Sequence, residues 1–171
     1  MSGIEHTVYR VIKMKKQKWK VYAFWIALSE AVGAISGFLT RDGMKAYSAF
    51  VKKPPLTPPD IVFPIVWTIL FALMGIGAAR IWLTGPSKER SRAIAVFLLQ
   101  LAVNFVWTIV FFGYHAFGAA LAVIVLLWAL ILLMIVCFAK LDKTAAYLQI
   151  PYLLWVSFAA YLNAAVWILN K

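Results

Sequence analysis

The sequence predicts an all-α fold: an integral membrane bundle of five transmembrane helices. Three observations carry that prediction. Of 171 residues, 64% are hydrophobic and 13% charged, and the mean hydropathy is +0.87. A soluble domain of this size has no interior able to hide so much apolar surface, so the bilayer must act as its solvent. The apolar residues fall into five runs of about 20 residues, the length that crosses hydrocarbon at about 1.5 Å per helical residue. Finally, the basic residues behind the net charge of +11 cluster between those runs. In a soluble protein such a charge would suggest nucleic acid; here it follows the positive-inside pattern, and no nucleic-acid partner is expected.

Residues 1–20 form a basic N-terminal tail, with Arg10, Lys13, Lys15, Lys16, Lys18 and Lys20 against Glu5. The first span covers about 21–39. A charged start before an apolar run also fits a signal peptide, but the tail is long and the run continues through Phe38 and Leu39, so a retained helix is expected. Residues 40–60 form the long loop and a candidate lid. Spans at about 61–83, 93–112, 116–139 and 145–169 follow, joined by short connections, and residues 21–171 make one domain. Twelve lysines and arginines lie on the side of the N-terminus against five on the other. That split predicts a cytoplasmic N-terminus, and a bacterial cell membrane is the expected location.

Lys53-Pro54-Pro55-Leu56-Thr57-Pro58-Pro59 can be neither helix nor inner strand, since each proline fixes φ and removes a donor. It leads into Asp60 and the apolar residues up to Trp67. Such a collar reads either as the lid of a binding site or as a stiff turn that orients two helices.

Polar side chains inside hydrocarbon mark sites or helix interfaces. Gln100, Asn104, Trp107 and Thr108 share one face of the third span; Tyr152, Trp155, Ala159, Asn163 and Trp167 form a stripe on the fifth; Trp67 and Phe71 lie on the second. By helical rise, Trp67 lies about 9 Å below the outer end of its span, Asn104 about 12 Å and Asn163 about 9 Å. These residues therefore share a layer beneath the proline loop, as a pocket or as hydrogen-bonded glue between helices.

Glu30 lies in mid-span, as a proton or cation relay or bonded to a neighbour. Gly33-Ala34-Ile35-Ser36-Gly37 is a GxxxG pattern that permits close helix approach. Cys137 lies alone in an apolar run, which excludes an internal disulfide. His6 and His115 lack ligand-spaced partners, so no metal site is expected. His115 reads as an interfacial residue or as a contact for a bound metalloporphyrin. Gly-rich phosphate loops, nucleophile elbows and carboxylate pairs are absent from the sequence.

Three ordered motifs resemble the TspO/MBR family of tryptophan-rich sensory and translocator proteins. They are Lys53-Pro54 to Pro58-Pro59 with Phe63-Pro64 and Trp67-Thr68; Gln100-Leu101, Asn104 and Trp107 ending in Phe111-Phe112-Gly113; and Pro151-Tyr152-Leu153 and Trp155 with Phe158-Ala159 and Leu162-Asn163. The sequence departs from the family at Leu56 and Ile61, where many relatives carry tryptophan. Tyr47 sits one residue further than usual from Lys53-Pro54. Ala164 and Ile168 replace the tyrosine and arginine of the mammalian cholesterol motif, which removes support for a sterol partner.

The resemblance implies a homodimer of five-helix bundles, each with a ligand pocket of Pro58, Trp67, Asn104, Trp107, Trp155, Ala159, Leu162 and Asn163. Expected ligands are porphyrins, such as protoporphyrin IX and haem, bound as ligands and not as cofactors, in contact with membrane lipid. The function expected is a membrane receptor or carrier, with ring faces stacked on Trp67 and Trp155 and propionates met by Lys52, Lys53 or Arg41. Two alternatives stay open. One is a light-dependent porphyrin-degrading enzyme using Trp67 and Trp155; the other is a dimeric stress-sensing scaffold.

Overall fold

The computed structural model describes the backbone of residues 3–171 and the side chains of residues 18–171. Most side chains of the expected basic tail lie outside the described residues. Among the described residues the fold has six α-helices, α1 Gly3–Phe50, α2 Val62–Trp82, α3 Lys88–Thr108, α4 Phe117–Ala139, α5 Lys143–Tyr147 and α6 Ile150–Leu169, with a π-helical turn at Ile109–Gly113. Among the described residues, five helical segments are long and apolar enough to cross a membrane: Lys18–Phe50, Val62–Trp82, Lys88–Gly113, Phe117–Ala139 and Lys143–Leu169. The protein is an all-α integral membrane protein.

The helix boundaries differ from the sequence reading in instructive ways. The segment expected as a loop over 40–60 is helical as far as Phe50, so only residues 51–61 connect α1 to α2. Hydropathy marks where a chain leaves hydrocarbon, not where its helix ends. Thr40 and Asp42 lower the hydropathy, yet nothing before Pro54 forbids α-geometry. The third span likewise begins early, at Lys88, because Ser87 caps α3 by accepting a hydrogen bond from the Arg90 N–H at 3.0 Å. The fifth span is broken into α5 and α6. Asp142 caps α5 through the Ala145 N–H at 3.1 Å, and Pro151 lies in the first turn of α6.

α1 packs along α2 and against the π-turn, α3 packs on α4, and α4 on α6. At the end opposite the proline loop the helices meet tightly. Gly75 brings α2 so close to Ile26 that an added Cβ would lie 2.5 Å from the Ile26 Cα. Trp25, Met74, Ala78, Phe97, Met134 and Phe138 fill the core there. Arg80 at the end of α2 pairs with Asp142 at 2.7 Å. Near the loop the helices diverge, and the space between them is where the site lies.

Candidate ligand cavity

Four helices enclose a cavity of about 480 Å³ at the loop end of the bundle. Trp67, Thr68 and Phe71 of α2 face Asn104, Trp107 and Thr108 of α3, while α6 supplies Ala159, Leu162 and Asn163. Of the eight pocket residues expected from sequence, these helices thus bring six together: Trp67, Asn104, Trp107, Ala159, Leu162 and Asn163. The Trp67 and Trp107 ring centroids are 6.2 Å apart with planes 33° apart, so the two indoles form one continuous aromatic wall.

Pro58 and Trp155 do not line this cavity. Pro58 stays in the loop, half-buried. Trp155 lies one ring removed, packed 5.9 Å from Phe63, and Phe63 takes the cavity-facing position. The Trp155 indole instead borders a shallow groove of Val66, Leu70, Pro151 and Leu154 between α2 and α6. Its Nε1 is buried without a partner among the described residues.

The buried amides both bridge helices and face the cavity. Asn104 Nδ2 donates to the Tyr152 hydroxyl at 3.0 Å, and that hydroxyl donates to Gln100 Oε1 at 2.9 Å. Trp107 Nε1 donates to Asn163 Oδ1 at 3.2 Å, while Asn163 Nδ2 donates to the Phe117 carbonyl at 2.8 Å. Gln100 and Tyr152 are fully buried and act only as braces. These bonds lock α3 to α6 and hold the indole of Trp107 in place, which is what a preformed wall requires.

The wall built by α1 was largely missed in the sequence. Glu30, Gly33, Ala34, Gly37, Met44 and Tyr47 line the cavity from this helix, at steps of three, four and seven residues, one face. Its first four members lie within the span expected at 21–39, and Met44 and Tyr47 join the stripe only because α1 continues to Phe50. The two glycines of the GxxxG pattern do different work. A Cβ on Gly33 would meet the Phe71 ring at 2.3 Å, whereas one on Gly37 would meet nothing within 4 Å. Gly33 therefore seats a neighbouring ring, and Gly37 leaves open volume. Tyr47 does reach the wall, its ring packed against Phe111 and Phe112 at 5.4 and 5.3 Å.

At the mouth, Ser48 and Asp60 line the opening and hydrogen-bond to each other. Lys53 Nζ reaches Asp60 Oδ1 at 3.2 Å and Ser48 Oγ at 3.4 Å. The hydrogen bonds from Ser48 and Lys53 hold the Asp60 carboxyl below its ordinary pKa, outweighing a small opposing effect of burial. This latch joins the last turn of α1 to the residues just before α2. His115, also at this end, has φ 50° and places Nε2 3.1 Å from the Gly43 carbonyl oxygen.

Fold and site together define a helical membrane protein with a preformed aromatic cavity at one end of its bundle. The TspO/MBR family matches residues 25–168. Tryptophan-rich protein TspO of Chlorobaculum tepidum is 42% identical over 149 residues, covering 86% of this chain and 94% of that protein. Protein CrtK of Rhodobacter capsulatus is 37% identical, with 88% and 92% covered. The translocator protein of Bos taurus is 34% identical, with 78% and 83% covered. The chain belongs to the TspO/MBR family.

Proposed function

We propose that this protein is a membrane receptor whose cavity takes a flat tetrapyrrole of the protoporphyrin or haem type, in a regulatory or transport role. The observation that carries the reading is the aromatic wall of Trp67 and Trp107, held by Asn163 beside about 480 Å³ of open volume. That volume falls within the range of about 300–1,000 Å³ typical of small-molecule sites. A flat conjugated ring gains from offset contact with indole faces, about 0.5–1.5 kcal/mol per aromatic pair beyond area burial. Asn104 Oδ1 has no partner among the described residues and is free to accept a hydrogen bond from a polar group of the ligand. Lys53 at the mouth can exchange Asp60 for a ligand carboxylate. The family names attached to its relatives, sensory and translocator protein, agree with a receptor or regulatory role and do not identify the ligand.

The test is quenching of intrinsic tryptophan fluorescence by protoporphyrin IX in nanodiscs. Trp67→Ala with Trp107→Ala should weaken affinity at least about tenfold, the equivalent of roughly 1.4 kcal/mol. Unchanged affinity would refute the site. Illuminating the same complex tests the photochemical reading, which on this geometry falls to Trp67 and Trp107 in place of Trp155. Bleaching no faster than that of free porphyrin removes it.

A further inference from the structure

Glu30 lines the cavity far from its mouth, and nothing in the receptor reading uses it. It precedes Ser48 by eighteen residues, about 27 Å along α1 at 1.5 Å per residue. A carboxylate at such depth costs roughly 2.5–3.5 kcal/mol by insertion measurements unless it finds a partner. Among the described residues it has none. The ion pairs present involve Asp42, Asp60 and Asp142, and Arg80, a cation of the adjacent helix, is committed to Asp142 at 2.7 Å.

Two bland roles fail on geometry. A metal ion needs more ligands than one carboxylate, and no group of three metal-binding side chains occurs among the described residues. A proton relay needs a chain of free hydroxyls toward Tyr47 and Asp60, the other titratable cavity residues. Of the hydroxyls between, Ser36 donates to the Gly33 carbonyl at 2.9 Å and Thr108 to the Asn104 carbonyl at 3.2 Å, each within its own helix, and Thr68 alone does not make a continuous chain.

Above Glu30 the α1 wall consists of Gly33, Ala34 and Gly37; the Phe71 ring covers Gly33, while Gly37 faces open space. A ligand group approaches the carboxyl along the open Gly37 side, beside the Phe71 ring. We infer that Glu30 is a second recognition point of this cavity, which selects ligands carrying a protonated amine on an apolar or aromatic body. The amine supplies the missing counter-charge in a low-dielectric setting, where a charge-assisted hydrogen bond is about twice as strong as a neutral one. The inference rests on the receptor reading for the cavity itself, but not on the tetrapyrrole.

The experiment compares 1-pyrenylmethylamine with its uncharged counterpart, 1-pyrenylmethanol, on the full chain in neutral-lipid nanodiscs. Energy transfer from tryptophan gives the affinities, and protoporphyrin IX is titrated in parallel. The native protein should prefer the amine about tenfold or more. Glu30→Gln should abolish that preference while leaving the affinities for the alcohol and the porphyrin unchanged. Asp60→Asn, at the mouth, should leave the preference intact. A preference that survives in Glu30→Gln, or disappears in Asp60→Asn, overturns the inference while the receptor reading stands. Failure of every probe to bind the native protein overturns both.

Discussion

The side-chain amide of Asn170 grips the backbone of Lys52 from both sides. Its Oδ1 accepts from the Lys52 N–H at 3.0 Å, and its Nδ2 donates to the Lys52 carbonyl at 3.0 Å. The end of α6 thereby holds the first residues of the proline loop, next to Lys53 of the latch. Restraint of the loop is therefore set at two points, Asn170 and Asp60, that are distant in sequence.

Asn170→Ala removes the first restraint. About 1 kcal/mol of anchoring is lost for bonds at an exposed site, and porphyrin dissociation measured by stopped flow should quicken about fivefold. An unchanged dissociation rate would show that the loop does not gate the cavity.

The second restraint depends on pH. Because the Asp60 carboxyl is held below its ordinary value, the latch is intact above the ordinary carboxylate range, roughly pH 4. It fails as pH falls through the lowered value. Dissociation should accelerate only in that acid window, and Asp60→Asn should remove the acid step. A step centred near neutrality would assign the gate to another group.

Gly37 and Gly43 provide a matched pair. A Cβ at Gly37 meets nothing within 4 Å, while one at Gly43 would lie 1.9 Å from the Phe112 carbonyl oxygen. Gly37→Leu should fill the cavity and abolish porphyrin binding with a thermal midpoint within a few degrees of the native one. Gly43→Ala must push α1 off the π-turn and should cost about 1–3 kcal/mol of stability, by analogy with overpacked cores. Full porphyrin affinity in Gly37→Leu would place the ligand elsewhere.

Tyr152→Phe deletes the hydroxyl between Asn104 and Gln100 and leaves two buried amide groups unpaired. A destabilisation of about 1–2 kcal/mol is expected, read as a lower unfolding midpoint in detergent. No change would mean that the amides re-pair with each other.

The six-residue overlap between expected and observed cavity walls came from α2, α3 and α6: the family resemblance implied all six, and helical spacing within the spans independently pointed to Trp67, Asn104, Trp107, Ala159 and Asn163 but not to Leu162. Trp155 was misplaced because spacing gives the face and depth of an indole, but not which neighbouring ring takes the inward position. That place went to Phe63, 5.9 Å away. The outer part of the α1 wall, Met44 and Tyr47, was hidden for a different reason, since the polar residues after Leu39 masked eleven further residues of helix.

The amino-acid sequence alone determined the membrane setting and the five spans, because hydrophobicity and helical period act locally and along the chain, and it carried the family in three ordered motifs. Tertiary packing decided which side chains share the cavity, that Gly37 is open where Gly43 is closed, and that Glu30 faces the interior without a partner among the described residues. Those outcomes depend on which helices approach and how closely, and distances between helices are fixed by the whole bundle, not by any one segment.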